Sequence, residues 1–410
     1  MNPRAISVAL FASALAAQGT SNERPLAVDG KDALAAVDVE TRRVKLTIES
    51  PDELRPIERL VHLQHLEVRT KASTGRAGSF GSGWREAGAD ALLPLRSCRA
   101  LRSLSIGYFQ DFDSACLHVL GELPLLDELQ LMGAQHVIDR ALVSELAKLG
   151  LRRLTLTAPR VMPDAFPALC ELPLLEQLRL ELPLHIDRCD LKSLSRLRNV
   201  RRLELRNVGS RLADSMQRTQ PLPGDPPHGA VERQQIQRTG LVDGEERVVL
   251  GEDAMRALAS LPLLQELDLG ASVVSDSLMS TLPTKLARLE LISVEGLTPT
   301  GVASLARLAN LRGLAVDAGA PSSALAKVLP SLPLTDLDLV TGVDAELCAG
   351  LAKCRTLRAV SIRAGKGEGL EFDFLAELPS LTRVELAGLA VTRANYVRHL
   401  LGDDVEVVTR

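Results

Sequence analysis

The apolar positions of this chain fall into one recurring pattern, L-x-x-L-x-L. Residues 261–270 show it plainly, with leucines at 264, 267 and 269. The same three positions are filled by Leu63/Leu66/Val68, Leu101/Leu104/Ile106, Leu126/Leu129/Leu131, Leu151/Leu154/Leu156, Leu175/Leu178/Leu180 and Val200/Leu203/Leu205. After a gap they return at 264, then as Leu286/Leu289/Leu291, Leu311/Leu314/Val316, Leu334/Leu337/Leu339, Leu357/Val360/Ile362 and Leu381/Val384/Leu386. Starts from 101 to 200 lie 25, 25, 24 and 25 residues apart, and those from 264 to 381 lie 22, 25, 23, 23 and 24 apart. A fixed period of this length marks a solenoid, in which each repeat buries its apolar face against its neighbours. Within a repeat, the alternation predicts a short strand with leucines inward and the residues between them outward.

The rest of each repeat reads as a turn, a helix cap and an amphipathic helix. Val137-Ile138-Asp139, Ile186-Asp187 and Val274-Ser275-Asp276 place an apolar residue before a capping one, and Thr298-Pro299 puts proline at the first helical position. Leu123-Pro124, Leu172-Pro173, Leu261-Pro262, Leu332-Pro333 and Leu378-Pro379 stop the helix and extend the chain toward the next strand. A short helix over 31–37 and a strand over 44–48 open the array, a helix is expected over 344–353, and 405–408 predicts a closing strand.

Two segments break the period. Residues 69–88 add about 13 residues of Gly/Ser-rich loop that carries Phe80 and the single tryptophan, Trp84. Residues 206–250 add roughly 40, including a proline-rich run at 221–229 that excludes helix and central strand. The period resumes after each, so residues 21–410 read as a single solenoid with insertions. Residues 1–20 read as a signal peptide or a capping segment. Arg4, an uncharged run from 5 to 17 and Ala14-Leu15-Ala16 have the secretory layout, which favours export to the periplasm or extracellular space.

Hydrophobic residues make up 46% of the 410, enough for a continuous core, while aromatics are only 2%, so that core must be leucine, alanine and valine. A formal charge of −4 gives no bulk attraction for nucleic acid or anionic membrane, and no basic, aromatic-interleaved stripe is present. No membrane span is expected. The six cysteines stand at different offsets in their repeats and read as buried small hydrophobes, which favours a reducing, cytoplasmic setting as the alternative to export.

The recurrent L-x-x-L-x-L with a helix in each unit resembles the leucine-rich repeat superfamily, most closely its ribonuclease-inhibitor-like, helix-bearing branch. The resemblance covers roughly residues 40–400. It implies an α/β leucine-rich-repeat solenoid, a horseshoe with a parallel sheet on its concave face and helices on its convex face, and it implies a binding role. One departure is the missing Asn or Cys nine residues into the repeat, where the first four copies have Lys71, Phe109, Ala134 and Pro159. Backbone groups in those turns must be satisfied otherwise.

The outward strand positions form the candidate binding strip. Its middle is basic, with Arg152, Arg153, Arg179, Arg201 and Arg202; its later part is acidic, with Glu266, Asp268, Glu290, Asp336 and Asp338 set against Arg288. This patterning suits a protein partner of unknown identity, held by the strip and by the 206–250 insertion. The bland alternative is a solvated face whose charges pair within their own strands, as Arg202/Glu204, Arg288/Glu290 and Arg383/Glu385. Phe80, Trp84 and Tyr108 are candidate aromatic anchors, or else plugs in an aromatic-poor core. His185, Asp187, Cys189 and Asp190 cluster without paired metal-ligand spacing, so no metal or cofactor is expected. No phosphate loop, G-x-S-x-G or H-E-x-x-H occurs, which argues against an enzyme. The catalytic alternative is a hydrolase- or transferase-type site on the 206–250 insertion, built around Asp225 and His228.

Overall fold

The computed structural model describes residues 24–70, 88–107, 112–132, 137–157, 159–181, 189–206, 250–270, 274–292, 294, 296–317, 321–340, 343–363, 372–387 and 391–409. The chain divides into two compact units, 1–190 and 191–410. Unit 1 holds strands β1 (Leu26–Asp29), β2 (Arg43–Ile48), β3 (His65–Thr70), β4 (Ser103–Gly107), β5 (Glu128–Met132), β6 (Val137–Ile138), β7 (Arg153–Thr157), β8 (Arg160–Val161) and β9 (Gln177–Glu181). Seven of them pair in parallel in the order β1-β2-β3-β4-β5-β7-β9, and β6 pairs with β8 in a separate two-stranded ribbon. Unit 2 holds β10 (Arg202–Arg206), β11 (Glu266–Asp268), β12 (Arg288–Leu291), β13 (Gly313–Val316), β14 (Asp336–Leu339), β15 (Ala359–Arg363), β16 (Arg383–Ala387) and β17 (Glu406–Thr409), each parallel to the next.

Register follows the leucine pattern directly. Leu66, Leu104, Leu129, Leu154 and Leu178 are consecutive partners in unit 1. Leu203, Leu267, Leu289, Leu314, Leu337, Val360 and Val384 are partners in unit 2. All twelve are at most 3% exposed. A slip of one residue would turn a whole strand's leucines to water, which is why the pattern fixes the pairing. Each buried leucine contributes about 1.5–3 kcal/mol.

The return segments are shorter than the amphipathic pattern suggests. Some are α-helical, such as Arg140–Lys148, Glu252–Ala259 and Ala345–Leu351, and others are 3₁₀, such as Pro51–Arg59, Ala89–Ser97 and Asp373–Glu377. Pro56 and Pro94 lie inside two of the 3₁₀ segments, where each removes a backbone donor. The expected caps at 139, 275 and 298 are present, and the one expected at 187 lies outside the described residues. Asp139 accepts from the Leu142 amide at 2.8 Å, Ser275 from Leu278 at 3.3 Å and Thr298 from Thr300 at 3.2 Å, with Pro299 following. The helix expected over 344–353 runs from Ala345 to Leu351 with Asp344 as its cap. Leu-Pro does not terminate the α-helices directly. The helix before Leu123-Pro124 ends at Leu120, and the one before Leu261-Pro262 ends at Ala259, so Leu-Pro belongs to the run-in of the next strand.

Backbone stacking is carried by shared carbonyls just ahead of the strands. The carbonyl of Arg102 accepts from the amides of both Asp127 and Glu128, and that of Asp127 from Arg152 and Arg153. In unit 2, Arg201, Gln265, Ala287, Arg312, Thr335 and Arg358 each serve the following repeat in the same way. A hydroxyl reinforces this edge: Thr382 donates to the Arg358 carbonyl at 3.1 Å. The positions that lack the asparagine, 71, 109, 134 and 159, follow the strands at their other end, and the first three lie outside the described residues.

Candidate functional site

The outward residues of β10, β11 and β12 form a charge lattice that the packed leucines beneath hold in place. In the first row the register sets Arg202, Glu266 and Arg288 side by side; in the second it sets Glu204, Asp268 and Glu290. Three carboxylates on strands about 4.8 Å apart repel one another unless a cation intervenes. Arg206 is that cation. Its guanidinium bonds Asp268 and reaches Glu290 Oε2 at 2.9 Å. It can cross β11 because the next outward position there is Gly270: a Cβ on that residue would stand 3.5 Å from the Arg206 Cγ and 3.2 Å from the Asp268 Oδ1. The Gly270 amide donates to Asp268 at 2.9 Å. Arg288 Nε donates to Glu290 Oε1 at 3.0 Å, and Arg202 Nε to Glu266 Oε2 at 2.5 Å.

This lattice is not merely solvated. Asp268 is 5% exposed and Glu204 9%. Burial pushes the Asp268 carboxyl above the usual aspartate range, although Arg206 and the Gly270 amide oppose it. Burial would push Glu290 up as well, but the bonds from Arg288 and the charges of Arg288 and Arg206 hold it below the usual range. For Arg206, burial pulls down, and its carboxylate partners more than compensate.

Of the residues singled out in sequence, Arg202, Glu266, Asp268 and Glu290 are brought together. Asp336 and Asp338 are not part of the lattice. They stand on β14, and β13 intervenes with Gly313 and Ala315, which carry no charge. Asp338 is bonded instead by Arg363 at 3.1 Å, and Asp336 by the Thr335 hydroxyl at 2.6 Å. In unit 1, Arg153 pairs with Asp127 at 3.1 Å and Glu128 at 3.2 Å, while Arg179 donates to Glu181 at 3.0 Å. Arg152 meets Glu176 at 2.5 Å.

The expected pairing within strands holds for Arg288/Glu290 and, at 3.8 Å, for Arg383/Glu385, where Arg383 also has Glu406 at 3.0 Å. It does not describe Arg202, which bonds Glu266 on the neighbouring strand rather than Glu204, because the alternating first row offers an opposite charge directly abreast. Arg206 was not singled out. It occupies the third outward position of β10, after 202 and 204, and the glycine two residues past Asp268 was the signal for its reach.

Phe80, Trp84, Tyr108, His185, Asp187 and most of the 206–250 insertion, with Asp225 and His228, lie outside the described residues. Among the described residues no group of three His, Cys, Asp or Glu side chains could hold a metal ion, and no helix is long and apolar enough to cross a membrane. Five cysteines are buried and Cys348 is half-buried. Burial pushes the thiols of Cys98 and Cys354 up to about 11 and that of Cys116 up to about 12, far from nucleophilic thiolates.

No protein-family model matches the chain. No curated protein matches it either. Two solved structures illustrate its likeness, both of leucine-rich-repeat proteins. A chain of the TLR13–ssRNA13 complex is 14% identical over 88% of this chain, with a TM-score of 0.42; the match spans 58% of that chain's length. A chain of the Rad7–Elc1 complex in yeast is 13% identical, with 99% of this chain and 92% of that one covered and a TM-score of 0.50. The second likeness, the parallel leucine ladders and the helical returns make this chain an α/β leucine-rich-repeat solenoid.

Proposed function

We propose that the chain is a non-catalytic protein-interaction module, which binds a protein partner through its outward strand residues and the 206–250 insertion that follows β10 in the chain. The observation that carries this reading is the half-buried lattice of Arg202, Arg206, Arg288, Glu266, Asp268 and Glu290. Exposed ion pairs are worth about 0–1 kcal/mol, and a leucine core needs none of them. Burying Asp268 on an outward face works against stability, and the lattice offsets this by fixing its charges in one geometry. Preorganised charge of alternating sign suits recognition of a complementary protein surface, where it contributes specificity and association rate.

Within this reading the chain stands nearest the ribonuclease-inhibitor-like branch, which the helix-bearing repeats support. Export directed by residues 1–20 is part of the proposal, with a cytoplasmic location as the alternative; the mass of the N-terminal peptide of the mature protein decides between them. The interaction is tested by affinity capture from native lysate. Intact protein is compared with Glu266→Lys/Asp336→Lys and with a chain lacking residues 210–248, each shown to fold by circular dichroism. A partner held by the intact chain and lost from the charge variant supports the strip. A partner retained equally by both variants refutes both the strip and the insertion as the binding surface.

A further inference from the structure

A depression of about 280 Å³ opens on the outward face of unit 1, across β2 to β5. Its origin is side-chain length. β4 presents Ser103, Ser105 and Gly107, whereas β2 and β3 raise Arg43, His65 and Arg69 on one side and β5 raises Gln130 and Met132 on the other. A Cβ built on Gly107 would stand 3.5 Å from both the Arg69 Cγ and the Met132 Cε, so those two side chains close in over the glycine.

The lining is rich in donors: two guanidiniums, two hydroxyls and an amide. Glu67, the register partner of Ser105, stands at the centre and is engaged by Lys45 at 3.3 Å and by Arg69. Among the lining residues, Arg43 and Arg69 against Glu67 leave a net charge of +1 (two minus one). Burial and the charge of Arg43 hold the His65 imidazole below its usual range, so at neutral pH it is an uncharged hydrogen-bonding group. The Ser105 Oγ is buried and meets no hydrogen-bond partner among the described residues. An unmatched buried hydroxyl beside a positive basin calls for an acceptor from outside.

We propose that this basin receives a carboxylate side chain of the bound protein, a glutamate or aspartate, with Arg43 and Arg69 holding the carboxylate and the Ser105 hydroxyl donating to it. Arginine is suited to this task because its fork matches a carboxylate. The assignment rests on the protein-interaction reading above.

The test is an NMR titration of the full chain with N-acetyl-glutamate N-methylamide, with the corresponding capped glutamine as neutral control and inorganic phosphate as a second arm. Capped glutamate is expected to shift the Ser105 and Gly107 amides with millimolar saturation, and capped glutamine to leave them in place. Arg69→Gln is expected to weaken binding about fivefold or more. Glu67→Gln removes the resident carboxylate that competes for Arg69 and is expected to tighten binding about threefold. Equal response to both capped residues, response to phosphate alone, or weakening by Glu67→Gln overturns the proposal. If capture is abolished by the unit 2 charge variant while this titration shows nothing, the pocket falls and the interaction reading stands.

Discussion

Replacing Arg206 by methionine keeps the aliphatic stem and removes the charge. Asp268 and Glu290 then lose the guanidinium that joins them, and Glu204 remains beside them in the same row. Removing one partner of a fully buried ion pair costs about 3–5 kcal/mol, whereas a fully exposed pair is worth about 0–1. The Asp268 side chain is 6% exposed but that of Arg206 is 31%, so the cost lies between these limits, at about 2 kcal/mol. Urea denaturation at pH 7 reads it.

The pH dependence separates charge from packing. Glu290 is held below its ordinary value, so it stabilises the fold at neutral pH, and that contribution is lost as pH falls through its folded value. Asp268 is raised, so the folded chain binds that proton more tightly than the unfolded one, and stability declines as pH rises through the raised value. Without Arg206 both carboxyls move upward. The first contribution shrinks and the second cost deepens, both above the ordinary carboxylate range. The gap between wild type and variant must therefore be widest near neutrality and close in acid, once pH has fallen below the lowered Glu290 value and both groups are protonated in folded and unfolded chains. Arg206→Met/Asp268→Asn should lose less than the sum of the two single variants, since each single variant already removes the ion pair that the two residues share. A gap under about 0.5 kcal/mol at pH 7, or one equal at both pH values, would refute the lattice as an electrostatic unit.

Three other outcomes follow from the packing. A Cβ on Gly350 would lie 2.5 Å from the Ala326 carbonyl oxygen, in backbone that cannot step aside cheaply, so Gly350→Ala should lower stability by about 1–3 kcal/mol by calorimetry. Asp344→Ala removes the cap on Leu347 and should cost about 1 kcal/mol in chemical denaturation. The Ser322 hydroxyl bond and then the Leu347 amide hold the Asp344 carboxyl below its usual range, so this loss should be present at neutral pH and fade in acid. Cys98, Cys116 and Cys354, with thiols at about 11, 12 and 11, should react with a disulfide reagent at pH 8 only as fast as the chain unfolds; rapid labelling of any of them in native protein would contradict their placement.

The leucine spacing carried the fold because one physical rule serves sequence and structure alike. Alternation puts 264, 267 and 269 on the buried side, and stacking aligns them with 286, 289 and 291, so strand register could be read without coordinates. The outward columns were legible for the same reason, including the rows of Arg202 with Glu266 and of Asp268 with Glu290. Which partner a charge takes was not legible, since that depends on side-chain reach across strands rather than on order along one. Arg202 prefers the carboxylate abreast, and Arg206 bonds two strands away because Gly270 leaves its path open. Asp336 and Asp338 were grouped with Glu290 as one acidic stretch, yet the uncharged Gly313 and Ala315, which stand between them in sequence and in register alike, separate them. Side-chain size on the intervening strand therefore sets where a strip divides into sites. It joins charges across Gly270, separates them at β13, and hollows a basin over Ser103, Ser105 and Gly107. Substituting the small outward residues should thus redraw the binding surface while leaving the leucine ladder, and with it the fold, in place.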